Sequence, residues 1–144
     1  MSDIIDKLIE RYNGTVINIL GSEYTIIFRS HNDDDQLNDC AAYCSYHENI
    51  IVLDRESKNY IGKSDLYITN CIKRALRHEL IHTFLDESGL FCNANAFKGP
   101  WPVNEEMVDW FALQMPKIFK VFQELDLLDN EWFRYNIHSL YRSL

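Results

Sequence analysis

The apolar positions along this chain follow two different periods, and the change from one to the other outlines the elements. Residues 3 to 12 place Ile4, Ile5, Leu8 and Ile9 on one side of a helix, closed by Asn13-Gly14. From there the pattern becomes β-branched and apolar. Thr15 to Leu20 and Glu23 to Arg29 read as strands, and Gly21-Ser22 between them suits a two-residue hairpin turn. His31 to Asp39 is polar and contains the run Asp33-Asp34-Asp35; the regular ligand spacing of a calcium loop is missing, so a solvated loop is expected. Cys40 to Tyr46 and Asn49 to Asp54 predict a second hairpin around His47-Glu48, and Arg55 to Lys63 is a polar connection.

The period then lengthens. Ser64 and Asp65 can start a helix, and Ile68, Ile72, Leu76, Leu80 and Phe84 recur every four residues as one buried stripe. Gly89, after Asp86, Glu87 and Ser88, is a natural stop. Residues 88 to 103 form a long loop with Trp101 between prolines, of a kind that can shape access to a site. Asn104 to Met115 predicts a third helix. Pro116 either kinks it or starts another that runs to about Leu125, with Ile118, Phe119 and Phe122 inward. Glu131 to Arg142 predicts a last helix. The expected fold is α+β: one domain over 1–144, with a small, mostly antiparallel sheet packed on the helix that begins at Ser64-Asp65, and C-terminal helices completing the core.

That central helix carries the chemistry. Residues 78 to 82 read His-Glu-Leu-Ile-His. His78 and His82 are one turn apart, so both imidazoles can face one point and take two corners of a zinc tetrahedron. Glu79 falls beside the metal, where it can take a proton from a coordinated water as general base. A catalytic zinc has three protein ligands and an open position, so a third ligand must come from elsewhere. A glutamate in the first turn of the next helix, Glu105 or Glu106, could reach across; Asp86, four residues after His82, is another rival. Asp109 lies one turn after Glu105 and could accept the second ring N–H of a ligating histidine, fixing its tautomer.

His78-Glu79-x-x-His82 followed by Glu105-x-x-x-Asp109-x-Phe111-Ala112 resembles the gluzincin metallopeptidases. With strands before the active helix, small size and Met115-Pro116, the chain looks most like the small IrrE/ImmA-type metallopeptidase domain of bacteria and phages. The resemblance is specific over residues 65 to 117 and loose over 15 to 54. It implies His78, His82 and Glu105 as zinc ligands, Glu79 as general base, and Asp109 as the residue that orients a ligand. It also implies a protein or peptide substrate, such as a transcriptional repressor or another regulator. The family often has Glu-Ala at the second carboxylate and Leu-Leu before Met-Pro; here the residues are Glu106-Met107 and Leu113-Gln114. Substrate in such enzymes often lies extended along an exposed strand edge, and the hairpin at 40 to 54 is the candidate. His47, Tyr60, Tyr135, His138 and Tyr141 are candidate oxyanion donors.

Composition narrows the setting. The net charge of −8 would repel phosphates on average, which counts against nucleic acid as a partner and against DNA-associated zinc proteases that share the same helix motif. Lys73, Arg74 and Arg77 read as the solvated face of the active helix. No apolar run approaches the roughly 20 residues needed to span a membrane, and Met1 to Tyr12 lacks a signal-peptide core; a cytoplasmic location is expected. Cys40, Cys44, Cys71 and Cys92 should then be reduced, with Cys40 and Cys44 on one face of a strand. The alternative function is a zinc-containing protein-binding module with little or no proteolysis.

Overall fold

The computed structural model describes residues 3–89 and 105–128; along the second stretch the side chains of Glu105, Val108, Asp109 and Ala112 fall outside the described set. Helix α1 spans Asp3–Tyr12 and buries Ile5, Leu8 and Tyr12. Four strands follow: β1 (Val16–Ile19), β2 (Ser22–Arg29), β3 (Ala42–Ser45) and β4 (Ile50–Asp54). Helix α2 spans Asp65–Glu87 and helix α3 spans Glu105–Glu124.

The sheet order is β1-β2-β4-β3. Both hairpins are antiparallel as expected, but β2 pairs with β4 in parallel, from Thr25 opposite Ile50 to Arg29 opposite Asp54. The sheet is therefore mixed: two of its three pairings are antiparallel, in keeping with the mostly antiparallel expectation, and the β2–β4 pairing is the parallel exception. The physical reason lies in β4. Ile50 to Asp54 is buried at every position, so this strand needs cover on both faces and neighbours on both edges. Placing β4 in the middle sends β3 to the edge and leaves β2 as its other partner.

The first turn also differs. Ile19 pairs with Ser22, so the turn residues are Leu20 and Gly21, with φ of 53° and 112°, rather than Gly21-Ser22. Positive φ at both positions is the hairpin geometry that matches strand twist. Strand β3 begins at Ala42, so Cys40 precedes it and does not share a strand with Cys44.

One face of the sheet carries the main core. Ile17, Ile19, Tyr24, Ile26, Phe28, Ile51 and Leu53 meet Ile68, Ile72, Leu76, Leu80 and Phe84 of α2. The opposite face is covered by Leu37, from the short 3-10 turn Asp35–Asn38, against Ile50 and Val52. Asp34 caps that turn and takes hydrogen bonds from Tyr43 (2.6 Å) and Arg29 (2.9 Å), so the acidic loop is tied down rather than solvated throughout.

Helix α3 runs through Pro116 without a break. Ile118 and Phe122 are inward as expected, but Phe119 is 40% exposed. Beyond the helix, Asp126 pairs with Arg11 of α1 (3.0 Å) and Lys73 of α2 (3.5 Å), and Arg77 donates to the Leu127 carbonyl. The end of α3 is thereby fixed to α1 and α2. The expected helix at 131–142 and most of the loop at 88–103 lie outside the described residues.

Candidate metal centre and its cleft

Helix α2 is set in place at both ends. The Ser64 hydroxyl accepts from the Tyr67 N–H and caps the start. At the far end Glu87 accepts hydrogen bonds from Ser22 Oγ (2.7 Å) and Tyr24 Oη (2.8 Å), anchoring the last turn to the β1–β2 hairpin. The buried stripe in between fixes the rotation of the helix. It turns His78 and His82 outward while Glu79 is buried.

The two imidazoles converge. His78 Nε2 and His82 Nε2 are 3.1 Å apart, with the rings at 74° to one another. Tetrahedral zinc holds each nitrogen at about 2.0–2.1 Å, which places two such nitrogens roughly 3.3 Å apart. The pair fits one ion; the same separation also suits an N–H···N bond between neutral rings. Among the described residues no third His, Cys, Asp or Glu joins the pair, and this applies to the rivals Asp86 and Glu106. Glu106 is exposed. Glu105 and Asp109 stand in the first turns of α3, with α3 packed on α2, but their side chains lie outside the described residues.

Glu79 lies under the sheet edge. It is 7% exposed and meets β3, where the Cys44 thiol hydrogen-bonds to it. Burial first, then the charge and hydrogen bond of Glu79, push the Cys44 thiol up to about 11, against the lowering effect of a hydrogen bond from Tyr46. Cys44 is therefore a neutral S–H donor at physiological pH. Cys40 feels the same carboxylate: burial raises its thiol chiefly, and Glu79 adds to the effect.

A cleft of about 650 Å³ opens in front of His78 and Glu79. Its walls are Tyr67, Cys71 and Arg74 on α2, Cys40 to Ala42 leading into β3, and Asn59 and Tyr60 from the 3-10 turn Lys58–Tyr60. Strand β3 pairs only with β4 among the described strands. Asp54 N donates to the Ala41 carbonyl, so by the alternation of an antiparallel ladder the backbone groups of Ala42 and Cys44 point away from β4. That edge, which no described strand pairs with, borders the cleft at Ala42.

Of the candidate oxyanion donors, Tyr60 lines the cleft and is buried, while His47 is exposed and does not line it. Tyr135, His138 and Tyr141 lie outside the described residues. Sequence reasoning missed two features: the Cys44 and Tyr46 surroundings of Glu79, and the turn of Arg74 into the cleft. The alternation of Ala42 and Cys44 toward the helix was a usable signal for the first.

Compared with protein-family models, curated proteins and solved structures, the chain finds no match. Among the described residues no helix is long and apolar enough to cross a membrane.

Proposed function

We propose that this chain is a zinc-dependent metallopeptidase that hydrolyses a peptide bond in a protein substrate, a regulator or repressor being the class its family resemblance implies, in the cytoplasm of its host cell. The observation that carries this reading is the convergence of two histidine nitrogens at 3.1 Å beside a buried glutamate, on a cleft bordered by a strand edge that no described strand pairs with.

His78, His82 and Glu105 would hold the metal, and Asp109 would orient a ligating ring. The metal would supply Lewis-acid chemistry there, making water acidic enough to give up a proton near pH 7 and polarising the carbonyl to be cut. Glu79 takes the proton of the attacking water and passes it to the leaving amine. The Cys44 S–H, hydrogen-bonded to Glu79, helps hold that carboxylate under the strand edge. An extended peptide would pair with the β3 edge at Ala42 and Cys44 as an added strand, its carbonyls replacing the thiol sulfurs of Cys40 and Cys44 as partners of the two backbone N–H groups.

The test is cleavage of a synthetic random decapeptide library, read by mass spectrometry, with zinc-loaded wild type and Glu79→Gln. The expected result is cutting by wild type, and a loss of about a thousandfold in rate in the variant with its zinc retained. Equal behaviour of the two proteins, or no cutting by either, would favour the binding-module alternative.

A further inference from the structure

Three basic residues within one turn of α2, at positions 73, 74 and 77, have different fates. Lys73 pairs with Asp126, and Arg77 donates to the Leu127 carbonyl, so both are occupied in fixing α3. Arg74 is turned the other way. It is exposed, lines the cleft one helical turn before His78, and forms no ion pair among the described residues. The only other charged wall residue described is Glu79. The nearby Lys63 ammonium sits over the Tyr67 ring at 5.4 Å and is not part of the wall. A chain of net charge −8 thus presents a single described cation inside its candidate substrate cleft.

We infer that Arg74 is a specificity-determining residue, and that the cleft selects peptides carrying a carboxylate close to the bond that is cut. This rests on the metallopeptidase reading above. The guanidinium offers a planar fork of donors matched to a carboxylate, and that pairing is stronger than a neutral hydrogen bond. Four residues of helix advance about 6 Å, whereas an extended peptide advances about 3.3 Å per residue. A peptide lying along β3 with its scissile bond at His78 therefore brings the carboxylate within about two residues of that bond. The carboxylate is either an Asp or Glu side chain or the peptide's own C-terminus.

The experiment uses the full zinc-loaded chain and the random decapeptide library, made with free and with amidated C-termini. Wild type is compared with Arg74→Ala, Arg74→Lys and Arg74→Glu. The expected result is about tenfold enrichment of Asp and Glu within two residues of the cut sites. The bias should vanish in Arg74→Ala, return in Arg74→Lys and turn toward Lys and Arg in Arg74→Glu. Persistence of the bias with amidated peptides assigns it to side chains; confinement of cutting to bonds near free C-termini assigns it to the terminal carboxylate. Cutting by wild type without acidic bias, or a bias unchanged in Arg74→Ala, overturns the inference and leaves the peptidase standing. No cutting by wild type removes both.

Discussion

Burying a carboxylate is costly unless its surroundings offset the loss of water, and Glu79 is 7% exposed. Its neighbours on β3 supply a thiol donor but no cation, so the site is not arranged for stability. Glu79→Gln should leave the metal-free protein as stable as wild type or raise its stability by up to about 1 kcal/mol, while abolishing cleavage. Urea denaturation of the two metal-free proteins checks this; strong destabilisation would mark Glu79 as a structural residue. Asp34 is the opposite case. The Tyr43 hydroxyl, followed by the Arg29 guanidinium and the Gln36 N–H, holds its carboxyl below the usual carboxylate range. A depressed folded-state pKa contributes stability that is present above the ordinary carboxylate pKa and is lost as pH falls through the folded value. Asp34→Asn should therefore lower the urea midpoint at pH 7, with the gap to wild type closing as pH falls below about 4. A gap independent of pH would contradict the assignment.

Individual elements carry strain and anchorage that can be tested separately. Leu20 holds φ of 53° at the first position of the β1–β2 turn, a conformation that costs a side chain with Cβ about 1 kcal/mol or more. Asparagine adopts it readily, and Asn-Gly is a favoured pair for this turn. Leu20→Asn should stabilise the fold by about 1 kcal/mol, seen as a higher thermal midpoint. Glu87 matters for the opposite reason. It accepts the hydrogen bonds of Ser22 and of Tyr24, whose side chain is completely buried. Glu87→Ala would orphan the Tyr24 hydroxyl and should cost about 2 kcal/mol. The last turn of α2 would also lose its hold on the hairpin, so the His78–His82 geometry should loosen and zinc affinity fall. Unchanged zinc affinity in a destabilised Glu87→Ala would show that the motif needs no support from that end.

At the scale of the whole molecule, the core was legible because it is periodic. The every-fourth-residue stripe from Ile68 to Phe84 identifies the buried side of α2, and that side dictates that His78 and His82 face outward. Strand pairing was harder to read, because alternation says which side chains are buried but not which strand lies beside which. The apolar run Ile50 to Leu53 held part of the answer: a strand apolar on both faces belongs in the middle of a sheet, and here β4 lies between β3 and β2, pairing with β2 in parallel. Phe119 was misplaced because it lies at the margin of the apolar stripe that Ile118 and Phe122 define, and in α3 it is 40% exposed. Arg74 could not be separated from Lys73 and Arg77 by residue type; only the packing of α3 against α2 distinguishes them. If zinc joins the two histidines of α2 to Glu105 on α3, it also joins the two helices. At a hundredfold excess over its dissociation constant it should add about 2.7 kcal/mol, raising the thermal midpoint by roughly 8 °C over the chelator-treated protein.

The central claim is that one metal ion is held between α2 and α3, and it is tested most directly by counting metal. Zinc per chain should be measured by elemental analysis on wild type, His78→Ala, Glu105→Ala and Glu106→Ala, each purified without added metal. Near one zinc in wild type, lost with His78 or Glu105 and kept in Glu106→Ala, is the predicted result. No zinc in wild type and none taken up on titration, or full retention in His78→Ala, would contradict it.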